Sequence, residues 1–341
     1  MDYRCLGTTG LHVSPICVGS MNFGPPFDRD ACIELVHHAL DRGVNFFDTA
    51  NIYEGYTRTF GSAGGVAESI LGEALRSRRH EVVVMTKLGN PNGTGPLNAG
   101  LSSRHLCLEL DRSLQRLGMD HVDILLCHRA DVSVSCEQTW NTLNRFVEAG
   151  KARVVGVSNW PAWRLAQACE VARRYGWAPC AVSSPQYSLL ARQVELEHLP
   201  ACAHYQVAAL PYRGLAGGLL TGKYTRSRAD LTGTRAGDQR IPPPDERLLD
   251  QLEAYATCAR QAGLTMTELA IAWLLSRSAV DGLILGFRDA RQLDAAIAAA
   301  GKTIRPADAE AVEQIFKAPV QPDQQVLRWR GHQWVLEDSE M

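Results

Sequence analysis

Short apolar runs alternate with helical stretches along most of the chain, and this rhythm limits the fold more than any other feature. The runs are Ile16 to Val18, Val44 to Phe47, Val82 to Thr86, Val122 to Cys127, Arg153 to Val157, Ala181 to Ser184, Val207 to Leu210 and Gly282 to Leu285. Most are continuously apolar, as parallel strands buried on both faces must be. Between them the apolar spacing turns helical. Asp30 to Asp41 carries Ile33, Val36 and Leu40, and Ala67 to Arg76 carries Ile70, Leu71 and Leu75. Ser102 to Leu117 places Leu106, Leu110, Leu114 and Leu117 on one face behind capping serines. Cys136 to Ala149 stops at Gly150, and Pro161 to Tyr175 starts on proline and stops at Gly176. Thr265 to Ser276 and Ala290 to Ala300 complete the set. A length of 341 residues alone would allow two domains. Eight evenly spaced units predict one α/β domain over residues 1–341, a closed (β/α)8 TIM barrel rather than a doubly wound open sheet.

Three segments break the rhythm. Tyr3 to Ser14 has turn signals at Gly7 and Thr9-Gly10 and reads as a β-hairpin plugging the N-terminal mouth. Glu54 to Gly65 is a polar, glycine-rich insertion, and Pro211 to Gly263 is a long region with a helix near Glu246 to Gln261. Both follow strands, so both are expected over the C-terminal face, where long loops are functional.

Net charge is -2, without the basic footprint of a nucleic-acid binder. No window nears the ~18 uninterrupted apolar residues of a membrane span. Met1-Asp2-Tyr3-Arg4 lacks a signal-peptide layout, and none of the ten cysteines forms a C-x-x-C pair. The expectation is a cytoplasmic protein with reduced, mostly buried thiols. His37-His38 is no metal pair, since adjacent helix positions diverge by about 100°.

Chemistry gathers at strand ends. Asp48 closes the second run, Lys87 the third and His128 the fourth, and Tyr53 lies just past Asp48. Each has an ordinary explanation alone, as a turn cap, a solvated lysine, a strand-end histidine or a loop aromatic. A barrel brings all four to one mouth. An ammonium beside a phenol pulls the phenol's pKa down, a carboxylate holds the ammonium, and a neutral imidazole donates to a substrate oxygen. That set protonates an oxygen gaining negative charge.

No G-x-G-x-x-G follows an early strand. Gly217 to Lys223 approaches a phosphate loop, but Tyr224 replaces the required hydroxyl residue. Glycines and a lysine after the seventh strand, with Gly286 and Arg288 after the eighth, instead suit the phosphate site common in barrels.

The ordered motifs resemble the aldo-keto reductase superfamily from about Tyr3 to Ala300, most closely the branch of bacterial aldehyde and sugar-ketone reductases and potassium-channel β subunits. They are the opening hairpin, Phe47-Asp48-Thr49-Ala50-Asn51-Ile52-Tyr53, Leu117-Gly118-Met119-Asp120-His121-Val122-Asp123 leading to His128, and Gly150-Lys151-Ala152-Arg153 running into Gly156-Val157-Ser158-Asn159-Trp160. The resemblance implies NADP(H) across the C-terminal face and reduction of a small-molecule carbonyl. It makes Tyr53 the general acid, Lys87 and Asp48 its support, and His128 the residue that orients the carbonyl. It assigns the carboxamide to Ser158, Asn159 and Gln186, nicotinamide stacking to Tyr212, and the nicotinamide side of the pocket to Ser20 and Met21. It assigns the pyrophosphate to Leu215, Gly217 and Lys223, and the 2′-phosphate region to Gly286, Arg288 and Gln292. Arg213 stands where the family has serine and offers a phosphate contact, whereas Ala295 and Ala296 replace polar adenine contacts. The tail from Pro319 to Met341 has no family counterpart; Trp329, Arg330 and Trp334 either cap the pocket or pack on another subunit or on the barrel itself.

Two other functions compete. One is a regulatory NADP(H)-binding protein with slow turnover. The other is a lyase forming a Schiff base on Lys87. A homo-oligomer stays open.

Overall fold

The computed structural model describes residues 1–59, 61–226, 231–232 and 234–319, with the backbone pairing of 325–330 and 333–338. In chain order its elements are β1 (Arg4–Cys5), β2 (His12–Val13), β3 (Ile16–Gly19), α1 (Arg29–Asp41), β4 (Phe46–Asp48), α2 (Val66–Leu75), β5 (Val83–Leu88), α3 (Ser103–Leu117), β6 (Val122–Cys127), α4 (Cys136–Glu148), β7 (Ala152–Ser158) and α5 (Ala162–Tyr175). There follow β8 (Cys180–Ser184), α6 (His198–Tyr205), β9 (Ala208–Ala209), α7 (Glu246–Gln261), α8 (Met266–Leu275), β10 (Leu283–Leu285), α9 (Ala290–Ala300), α10 (Pro306–Ile315), β11 (Gln325–Arg330) and β12 (Gln333–Asp338).

The eight apolar runs form one parallel sheet in the order β10-β3-β4-β5-β6-β7-β8-β9. The sheet closes on itself beyond β9: Asp281 N–H donates to Ala209 O at 3.0 Å and Ile284 N–H to Pro211 O at 2.9 Å. Tyr212 bridges Ile284. The fold is the expected (β/α)8 barrel. Six of the described helices start where a side chain accepts an orphan N–H, at Asp28, Ser102, Ser135, Asp245, Thr265 and Asp289. Gly118 and Gly176 end α3 and α5 in the left-handed conformation.

Strand alternation produces two apolar clusters. Odd-and-even neighbours such as Phe47, Val84, Leu125 and Val155 pack outward under the helices. Phe46, Val83, Met85, Ile124, Leu126, Val182, Leu210 and Ile284 fill the barrel interior. The β1–β2 hairpin adds fully buried Leu6 and Val13 to that inner cluster. It plugs the mouth as expected, with Gly7 N–H on Asp281 Oδ1 at 3.3 Å.

Two helices were not legible as apolar spacing. α6 is eight residues long and has Pro200 inside it, and α10 begins at Pro306. The tail, in which the sequence reading placed no strand, pairs as an antiparallel β11–β12 hairpin. The side chains of Trp329, Arg330 and Trp334 lie outside the described residues.

Candidate active site

Inward-pointing residues stack by twos up each strand, and the topmost member changes from apolar to polar. Above Phe46 comes Asp48; above Val83 and Met85 comes Lys87; above Ile124 and Leu126 comes His128. Strand order places β4, β5 and β6 side by side. Asp48 pairs in register with Met85, and Lys87 with Leu126. Lys87 lies within β5, one residue before its end, and is 3% exposed.

The Lys87 ammonium has three acceptors. It donates to Asp48 Oδ1, to Thr49 O at 3.0 Å and to Tyr53 Oη at 3.4 Å. The His128 ring meets the Tyr53 ring edge-on, with centroids 5.7 Å apart. His128 N–H donates to Leu88 O at 2.7 Å, continuing the β5–β6 ladder past the strand end. The four residues expected together are together.

Burial dominates the electrostatics. It raises the Asp48 carboxyl above its ordinary range, and the Lys87 charge opposes that rise. For Lys87 burial acts downward, but Asp48 and Tyr53 outweigh it and the ammonium is held up. The two groups form a buried salt bridge. His128 is pushed well below its ordinary value by burial, then by Lys87 and Arg129, so its ring is neutral. Tyr53 corrects an expectation. Lys87 does act to lower its pKa, yet burial exceeds that effect and the phenol titrates above its ordinary value. Tyr53 is thus held protonated.

Beside this group β7 supplies Ser158, whose Oγ donates to Ser184 O at 2.8 Å. Asn159, at φ 58°, donates from its amide to His128 O and to Ser158 Oγ, both at 3.0 Å. Its Oδ1 accepts from Tyr212 Oη at 2.6 Å. Gln186 is exposed on the segment bridged to Tyr212. Ser20 and Met21 follow β3; Ser20 N–H donates to Asp48 O at 2.8 Å and Met21 is 44% exposed. Ser20 Oγ, Ser184 Oγ and His128 Nδ1 are buried without a partner among the described residues. Such orphaned groups fit a polar ligand.

The phosphate-suited segments lie after the last two strands. Ala216–Thr221 is a tight turn in which Gly217 and Gly218 have φ of 70° and 98°. Lys223 packs against it: a Cβ at Gly218 would meet Lys223 Nζ at 2.5 Å. Leu215 is half-buried at its start, and the Arg213 guanidinium lies 3.6 Å from where a Gly217 Cβ would be. Beyond β10, Gly286, Arg288 and Gln292 are exposed at the start of α9, with Arg288 N–H on Gln292 Oε1 at 3.1 Å. Backbone N–H groups at a helix start and two guanidiniums suit a phosphorylated dinucleotide. Ala295 is exposed and Ala296 is buried.

The insertion and the long loop meet, as their place over one face predicts. Arg240 sits 3.4 Å from the Tyr56 ring centroid, Arg235 donates to Tyr56 Oη at 3.4 Å, and Phe27 meets the same ring edge-on. Sequence reasoning missed Tyr56, Asn51, Asn92 and Glu109. A signal existed for Glu109: it lies on the apolar stripe of α3, between Leu106 and Leu110. Among the described residues no group of His, Cys, Asp or Glu could hold a metal ion, and no helix is long and apolar enough to cross a membrane. All ten cysteines are free.

Comparison with known proteins agrees with the fold. The family model described as "Aldo/keto reductase family" matches residues 15–317. An uncharacterized oxidoreductase, YrpG, of Bacillus subtilis is 32% identical over 96% of this chain and 100% of its own length. A probable voltage-gated potassium channel subunit beta of Oryza sativa is 35% identical over 86% of this chain and 89% of its own. L-glyceraldehyde 3-phosphate reductase of Escherichia coli is 32% identical over 86% of both chains.

Proposed function

The chain belongs to the aldo/keto reductase family, and from that premise we propose that it reduces an aldehyde or ketone using NADPH, with Tyr53 as the proton donor. Relatives named as oxidoreductases support carbonyl reduction in general. The observation that carries the finer reading is the Lys87 ammonium shared between Asp48 and the Tyr53 hydroxyl, with a neutral His128 beside them.

Ser158, Asn159, Gln186 and Tyr212 would hold the nicotinamide end, with Ser20 and Met21 beside it. Arg213, Leu215, Gly217, Lys223, Gly286, Arg288 and Gln292 would hold the phosphates and adenosine. When bound, NADPH supplies the hydride. The substrate carbonyl oxygen lies between Tyr53 and His128; His128 aims it with a hydrogen bond. Negative charge gathers on that oxygen, and Tyr53 gives it the hydroxyl proton. Lys87 compensates the charge left on the phenol, and Asp48 keeps Lys87 charged and placed. The same buried ion pair disfavours the lyase reading, because a Schiff base needs a neutral amine.

The likeness to a named channel β subunit supports a second reading, a regulatory NADP(H)-binding protein with slow turnover. One experiment separates the two. NADPH absorbance is followed with a panel of aldehydes and ketones, phosphorylated and not, for the wild type and Tyr53→Phe. Reduction by the wild type and near-complete loss in Y53F, with NADPH binding retained, is expected. Full turnover by Y53F sinks the assignment, and no turnover by either protein favours the regulatory reading.

A further inference from the structure

Glu109 is a charged residue on the buried stripe of α3, and it is 0% exposed. Packing favours leucine at such a position, because a buried carboxylate loses its hydration. Here three donors meet it. Glu109 Oε2 accepts from the Asn51 amide at 2.8 Å and from the Asn92 amide at 2.7 Å. Glu109 Oε1 accepts from Arg112 at 2.9 Å. Burial acts to raise its pKa, and the amides of Asn92 and Asn51 with Arg112 outweigh it, so the carboxylate is ionised.

The two amides come from the two segments that carry the proton-transfer group. Asn51 lies between Asp48 and Tyr53, and its own N–H donates to Lys87 O at 3.1 Å. Asn92 lies in the loop that leaves β5 after Lys87. Asn51 and Asn92 are both buried. One carboxylate oxygen therefore ties the turn holding Tyr53 to the loop following Lys87 from the helix side, while Lys87 grips Thr49 O from the barrel side.

We propose that Glu109 is a positioning residue, which sets the approach of the Tyr53 hydroxyl to Lys87 and to the substrate oxygen by clamping Asn51 and Asn92. It touches none of the reacting atoms. The inference rests on the Tyr53 reading above. Glutamine at this position can keep its single oxygen on both amides; its NH2 cannot accept from Arg112, and the exposed Arg112 side chain turns to solvent instead. Alanine releases both amides.

The test compares wild type, E109Q, E109A, N51A and Y53F for kcat, NADPH Kd and the kinetic isotope effect with deuterated NADPH. An ångström-scale misplacement costs up to about 100-fold in rate. The expected result is a kcat loss of about 10- to 100-fold in E109A, less in N51A and least in E109Q. NADPH Kd stays near wild type, and the isotope effect rises as chemistry becomes limiting. N51A reads the clamp if E109A does not fold. Unchanged kcat in folded E109A or N51A overturns the proposal. Equal losses in E109Q and E109A also overturn it, since they assign the effect to charge. If Y53F is inactive while folded E109A keeps its kcat, this inference alone fails. If Y53F retains turnover, the Tyr53 reading fails and takes this one with it.

Discussion

Lys87 Nζ and Tyr53 Oη approach to 3.4 Å across 34 residues of chain. The contact joins a strand to the loop leaving its neighbour, and Asp48 completes it from that neighbour's last position. Lys87 and Asp48 are buried and Tyr53 is half-buried; the group contains one cation and one anion, and from this its behaviour on mutation and titration follows.

Lys87→Met leaves the Asp48 carboxylate without its partner in a dry site. Breaking a buried pair costs about 3–5 kcal/mol, and removing both partners costs less than the sum. A double-mutant cycle of K87M and D48N in urea denaturation should therefore be strongly non-additive. Additive losses would show that the two groups do not stabilise each other.

His128 is held neutral, with its pKa pushed below the ordinary value chiefly by burial. In the unfolded chain it titrates near about 6.5. Below that pH the unfolded chain binds a proton that the fold refuses, so stability is complete above about 6.5 and is lost as pH falls. His105 and His198 are buried and shifted in the same direction. Between pH 7.5 and 5.5 each histidine should withdraw up to about 1.4 kcal/mol. Unfolding free energies of wild type and His128→Gln at those two pH values check this; an equal drop in both proteins would count against a neutral His128.

Arg288 stands just before the Asp289 cap of α9, and the proposed function gives its guanidinium the 2′-phosphate. A charge-assisted hydrogen bond contributes about 1.5–3 kcal/mol. Arg288→Gln should weaken NADPH binding by about 10- to 100-fold and leave NADH nearly unaffected. Fluorescence titration with each dinucleotide decides. Equal weakening of both would move the 2′-phosphate elsewhere.

The eight strands were legible because a strand buried on both faces must be continuously apolar, and a single interruption by a reactive side chain stands out. Asp48, Lys87 and His128 were found on that ground, and Tyr53 by its place next to Asp48. Short elements that contain proline, such as α6, carry no such pattern and needed coordinates. Sequence also predicted the direction in which Lys87 acts on Tyr53. It did not predict that burial would exceed it, because desolvation depends on how tightly the barrel closes around the phenol.

What the sequence determined by itself was the barrel and the identity of the groups at its mouth, since strand periodicity and strand-end chemistry are local properties of the chain. The tertiary structure alone decided how those groups are held. Glu109 reaches Asn51 across 58 residues and Asn92 across 17, and Arg240 covers Tyr56 from the far loop. Contacts of that range depend on which loops meet when the sheet closes, and no spacing within one segment encodes them.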